Sequence, residues 1–145
     1  MLNSALIVED TESDLYLAQI SLKNSHVVEQ VHTASDGREA LNFLLQFTEE
    51  SPPEGVIAPD VIFIDLTMPV MDGFELMEAF RPLSRLEPFK NTKVVVCTHS
   101  DSMDDKRRAL SFPFVKYFFR KPFSPMKVKE TIRALELNLS IGSEK

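Results

Sequence analysis

Five short runs rich in apolar residues recur at 5–8, 27–32, 61–64, 94–97 and 115–119, of which 5–8, 61–64 and 94–97 are wholly apolar, and longer polar-faced segments separate them. A strand of an antiparallel sheet with one wet face alternates apolar and polar residues. A run that is apolar on both faces has to be covered on both, which is the condition of a parallel sheet flanked by helices. This pattern excludes most all-β and all-α arrangements.

The intervening segments carry helix-start chemistry. Asp36 is followed by Glu39 and Asp72 by Glu75, both spaced as capping boxes; Ser13 opens the segment 14–23, and Ser124 stands before Pro125. Val128, Ile132, Leu135 and Leu139 recur at helical spacing in the last segment, as do Ala40, Phe43, Leu44 and Phe47 in the second. The fourth segment, 104–111, has the weakest helical pattern. Residues 48–59, with three prolines and a glycine, and residues 81–92, with two prolines, are expected as surface loops. Five strands alternating with five helices, joined by right-handed crossovers, give a doubly wound, flavodoxin-like (βα)5 fold with a five-stranded parallel sheet in the order 2-1-3-4-5.

With 145 residues and 43% apolar content the chain fills one core, so residues 1–140 are expected as a single domain and 141–145 as a short tail. A net charge of −6 argues against a direct nucleic-acid or membrane-surface role. No apolar stretch approaches the roughly 18 residues of a membrane span, and nothing at the start reads as a signal peptide, so the expected location is cytoplasmic. The single cysteine, Cys97, lies inside an apolar run and reads as a buried core residue.

In such a sheet the functional crevice lies outside the carboxyl ends of the strands. The residues delivered there are Glu9 and Asp10, Asp65, Thr98 and Lys121. Each alone has an ordinary reading as a turn or cap residue. Together they are harder to explain, because two carboxylates about 4 Å apart at an effective dielectric near 20 repel by about 4 kcal/mol. Hard oxygen ligands with that much negative charge suit Mg2+, or Mn2+ with the same ligands. A divalent cation with the ammonium of Lys121 brings such a pocket near neutrality and leaves Asp65 able to attack phosphorus.

The motifs IVED (7–10), FIDLTMPVMDG (63–73), VVVCTHS (94–100) and FFRKPF (118–123) fall in that order at the ends of the first, third, fourth and fifth expected strands. In this the chain resembles the receiver domain of two-component response regulators over roughly residues 5–139. The resemblance implies Asp65 as phosphoacceptor; Glu9, Asp10, Asp65 and the backbone carbonyl of Thr67 as the Mg2+ site; Thr98 as switch hydroxyl; and Lys121 as the cation that contacts the phosphoryl group, before a Pro122 whose peptide bond is usually cis. Phe118 falls at the aromatic switch position, which turns inward as Thr98 moves. It further implies a histidine kinase or histidine phosphotransfer protein as donor, and signalling to a downstream protein target through the surface of the fourth helix, fifth strand and fifth helix. The chain is expected to act as a monomer or phosphorylation-dependent homodimer, a stand-alone receiver that assists only its own phosphorylation and dephosphorylation rather than turning over as an enzyme. His99, where the family usually has a small residue, is expected to point to solvent or a partner, and Lys106, Arg107 and Arg108 to form a solvated face.

Three other readings fit less of the sequence. A Mg2+-dependent phosphohydrolase of the haloacid dehalogenase type wants a second aspartate two positions after its nucleophile, where this chain has Thr67. A flavin or nucleotide module needs a Gly-rich phosphate cradle after the first strand, where residues 9–14 carry four acids and no glycine. A receiver-like adaptor that is never phosphorylated would arise if His99 blocked the chemistry.

Overall fold

The computed structural model describes residues 2–136. Strands β1 (Leu2–Val8), β2 (Val28–Ala34), β3 (Val61–Ile64), β4 (Lys93–Thr98) and β5 (Val115–Arg120) alternate with helices α1 (Glu12–Ser25), α2 (Gly37–Leu45), α3 (Gly73–Leu83), α4 (Met103–Leu110) and α5 (Pro125–Glu136). All strand pairs are parallel, in the order β2-β1-β3-β4-β5. This is the expected doubly wound fold.

β3 sits at the centre, and its four residues are buried on both faces. Alternate residues feed two cores. Ile62 and Ile64 pack with α2, α3 and α4 residues such as Leu44, Leu76 and Ala109; Val61 and Phe63 pack with Leu22 of α1 and Val128 and Ile132 of α5. Burial on both sides is why the run contains no polar residue before Asp65.

Several local expectations need correction. Ser13 is not the cap of α1: Thr11 holds that position without a side-chain cap bond. The carboxylate of Glu9 accepts from the Thr11 amide at 3.1 Å, and the acids Glu12 and Asp14 meet the positive end of the helix dipole. α4 has a cap the sequence reading passed over, Ser102, whose hydroxyl accepts from the amide of Asp105.

Residues 81–92 are not all loop. α3 continues through Pro82 to Leu83, because a proline in the last turn forfeits few helical bonds, and the short 3-10 turn Glu87–Phe89 then inserts Phe89 into the core. The ring of Phe89 meets Phe47 and Phe80 edge-on, at centroid distances of 6.2 and 5.6 Å. In α5, Val128, Ile132 and Leu135 are buried as expected, whereas Leu139 and the 141–145 tail lie outside the described residues.

Candidate functional site

Pairing carries each site residue to one edge of the sheet. The amide of Asp65 donates to Val8 O and that of Glu9 to Ala34 O, so both acids extend the ladder just beyond their strands. Lys121 N donates to Thr98 O, which sets those two residues side by side at the ends of β4 and β5. The Lys121–Pro122 peptide is cis, as the resemblance implies.

The loop after β3 is held by two glycines. A Cβ on Gly73 would lie 2.5 Å from the carbonyl oxygen of Asp65, and one on Gly37 would lie 2.5 Å from that of Met71. Asp72 and Glu75 close a reciprocal capping box at the start of α3. Two residues before Asp72, Val70 sits at φ 67°, a left-handed conformation that a β-branched residue adopts only under strain, and it is 79% exposed. Nothing in the sequence pattern flags that strain.

The predicted site residues come together. Glu9, Asp10 and Asp65 each offer a carboxylate oxygen within 4.8 Å of the others. Glu9 and Asp65 are buried and Asp10 is exposed. The side chain of Lys121, 1% exposed, pairs with Glu9, with Asp14 at 3.1 Å and with Asp65 at 3.4 Å. Thr98 is buried, and its hydroxyl accepts from the amide of Ser100 at 3.1 Å. Thr67 is exposed, and its amide donates to the Asp65 carboxylate.

The charges in this pocket do not balance. Burial pushes the Asp65 carboxyl above the ordinary range, against the pull of Lys121 and the Thr67 amide, and the neighbouring charge of Asp10 adds to the rise. Burial likewise raises Glu9, opposed by its hydrogen bond from Lys121 and reinforced by Asp65. Lys121 is raised despite its burial, because Glu9, Asp65 and Asp14 all favour the ammonium. The pocket is thus short of positive charge. Three convergent carboxylates, one open to solvent, fit a hard divalent cation that keeps part of its water. Burial raises the thiol of Cys97 well above its ordinary value, so this core residue is inert.

Two residues stand differently from expectation. His99 is 66% exposed, yet its ring does not simply face solvent: Nε2 lies 3.0 Å from Asp14 Oδ2. Phe118 is already turned inward, 3% exposed, with Lys106 Nζ 5.8 Å from its ring centroid. The basic run of α4 is also partly engaged within the molecule. Arg107 pairs with Asp104, and Arg108 stacks 4.0 Å from the centroid of Phe74.

Asp14 is the site residue the sequence reading missed. It was counted only among the acids of the first loop, whereas the first turn of α1 carries it to the same sheet edge, against Lys121. Burial works to raise its carboxyl, but the hydrogen bonds from Lys121 and His99 outweigh that and hold it below the ordinary range.

A central parallel sheet in the order β2-β1-β3-β4-β5, with an acid cluster, a hydroxyl and a buried lysine at one edge, defines a doubly wound α/β domain of the flavodoxin-like class. The chain belongs to the response regulator receiver domain family, whose model matches residues 5–133. It is 33% identical over 130 residues to the alkaline phosphatase synthesis transcriptional regulatory protein PhoP of Bacillus subtilis, covering 90% of this chain and 47% of that protein. It is 36% identical over 101 residues to the response regulator Rcp1 of Synechocystis, covering 69% of this chain and 64% of that protein. The chain thus spans about half the length of PhoP and under two thirds of Rcp1. Among solved structures it is similar to the chemotaxis protein CheY4 of Vibrio cholerae, with a TM-score of 0.72 at 28% identity over 93% of this chain and 99% of that one. The Mn2+-bound form of Rcp1 aligns with a TM-score of 0.70 at 26% identity over 98% of this chain and 99% of that one. Among the described residues no helix is long and apolar enough to cross a membrane.

Proposed function

We propose that Asp65 is the phosphoacceptor of a signalling switch, receiving its phosphoryl group from a phosphohistidine of a histidine kinase or histidine phosphotransfer protein. The observation that carries this reading is the buried Asp65 carboxylate held beside both the Lys121 ammonium and two further acids. An oxygen of Asp65 attacks phosphorus, the new O–P bond forms as the donor's P–N bond breaks, and the bonding electron pair returns to the donor imidazole. Glu9, Asp10, Asp65 and the Thr67 carbonyl would hold Mg2+, or Mn2+, which supplies positive charge to the phosphoryl oxygens during transfer. Lys121 binds another of those oxygens, and its ammonium stays charged because three carboxylates surround it.

Phosphorylation adds nearly two negative charges and new acceptor oxygens. Thr98, whose hydroxyl accepts from the Ser100 amide, turns to donate to one of those oxygens. That movement alters the packing of Phe118, which lies in the same core cluster as Ala109 of α4 and Val115 of β5, and so changes the α4–β5–α5 face offered to a downstream protein. The product remains on Asp65, so the domain works as a switch and not as a turnover enzyme. The neighbours support this reading to the extent that Rcp1 takes Mn2+ in a fold of the same kind.

The test is incubation with acetyl phosphate and Mg2+ followed by intact-mass measurement. The wild type should gain one phosphoryl group, chelation of the cation should prevent it, and Asp65→Asn should gain none. Continued gain by Asp65→Asn would place the acceptor elsewhere.

A further inference from the structure

We propose that His99 is a positioning residue of the phosphoryl site, acting through Asp14 to aim the ammonium of Lys121 at Asp65. This rests on the reading of Asp65 as phosphoacceptor. The observation is a shared oxygen: Asp14 Oδ2 lies 3.0 Å from His99 Nε2 and 3.1 Å from Lys121 Nζ, and that same Nζ lies 3.4 Å from Asp65 Oδ2. With Nε2–H as donor, the imidazole and the ammonium donate to one carboxylate oxygen. Three elements meet in this chain, the loop after β4, the first turn of α1 and the end of β5.

The arrangement has a purpose that Glu9 cannot serve. Glu9 pairs with the same ammonium, but it also belongs to the acid cluster, where a divalent cation competes for its charge. Asp14 is outside that cluster and remains an anionic partner for Lys121 when Glu9 is drawn away. A carboxylate left free to rotate would hold the ammonium loosely. Fixed by the imidazole, it presents one lone pair in one direction.

The charged groups around the imidazole are Asp14 from α1, Lys121 from the end of β5, and Glu9 and Asp65 behind Lys121. On its own side stand Asp101 in the same loop and Asp105 of α4; Asp105 is occupied by the hydroxyl of Ser100 at 2.9 Å and by the cap of its helix. The exposure of His99 means that its replacement leaves the core intact.

The experiment uses the full chain with acetyl phosphate and saturating Mg2+. His99→Ala and Asp14→Ala should each slow phosphoryl incorporation by about three- to tenfold, and the double variant should be no slower than the slower single one, because the two residues act as one unit. His99→Gln, which keeps an N–H donor at similar reach, should recover most of the rate at pH 8. In metal-free protein, nitrogen NMR of the His99 ring should show the Nε2–H tautomer, and Asp14→Ala should mix the tautomers. Equal rates for His99→Ala and wild type, or losses that multiply in the double variant, would overturn the assignment. A wild type that gains no phosphoryl group at all would instead overturn the phosphoacceptor reading, and this inference with it.

Discussion

Asp60 and Asp65 flank the same four-residue strand, one immediately before β3 and one immediately after it, and the chain uses them in opposite ways. Asp60 is a peptide clamp. Its amide donates to Ser4 O at 2.8 Å, its carbonyl accepts from Lys93 N at 3.0 Å, and its carboxylate accepts from the amides of Asn3 at 2.7 Å and Ser4 at 3.2 Å. Every polar group it brings is answered by neutral backbone, and the start of β3 is thereby pinned to β1 and β4. Asp65 is buried among Glu9, Asp10 and one shared lysine, with burial and like charge both working against its ionised form. A strand end that needed only a hydrogen-bonding cap could have been built like the first. The surplus charge at the second is therefore the mark of a functional site, and it is what the proposed cation and phosphoryl group would answer.

Breaking the charged end should cost the most. Lys121→Met leaves Glu9 and Asp65 buried without their ammonium, and should lower stability at neutral pH by about 3–5 kcal/mol in urea unfolding, with Mg2+ restoring part of the loss. An unchanged midpoint would show that water already reaches these carboxylates. Next comes the backbone that carries Asp65. Gly73→Ala brings a methyl group against the Asp65 carbonyl and should lower stability by about 1–3 kcal/mol, with amide shifts concentrated at residues 65–73. At the other end, Asp60→Ala orphans two amides, one of them exposed, and should lower stability by about 1–2 kcal/mol while leaving phosphoryl incorporation per folded molecule unchanged. A fall in incorporation there would dissolve the contrast between the two ends.

The smallest effect is the one that reads the charge imbalance itself. Asp65 has a folded-state pKa above its unfolded value, so the folded chain binds its proton more tightly. The stability this contributes is present in full below the ordinary carboxylate range and is lost as pH rises through the raised value. Metal-free Asp65→Asn should therefore gain stability relative to wild type between about pH 4 and pH 7, and Mg2+ should stabilise only the wild type. Asp14, lowered in the folded state, works in the other direction: its contribution is present above the ordinary range and is lost as pH falls through its lowered value. Parallel stability curves for wild type and Asp65→Asn would mean that Asp65 is as well compensated as Asp60.

The sheet order and the convergence of Glu9, Asp10, Asp65, Thr98 and Lys121 were legible because both follow from periodicity: apolar runs fix strands, and parallel strands bring their carboxyl ends to one edge. What stayed hidden depends on side-chain direction. Asp14 is one acid among four in its stretch, and nothing in its spacing tells that its oxygen reaches Lys121. His99 looks solvent-facing in sequence because its partner lies 85 residues away. Phe89 was hidden for a different reason. The prolines around it signal a loop correctly for the backbone but say nothing of a ring that turns into the core. The strain at Val70 is invisible because a β-branched residue in an exposed loop has no pattern that demands φ of 67°.

The central claim is that the phosphorylated oxygen belongs to Asp65. Borohydride reduction of the phosphorylated protein converts an aspartyl phosphate to homoserine, and peptide mass spectrometry then finds the residue changed. The account predicts homoserine at position 65 in the Mg2+-treated chain and nowhere else. Homoserine at Asp10 or another acid, or a phosphoryl group that survives reduction on a hydroxyl or imidazole, would contradict it.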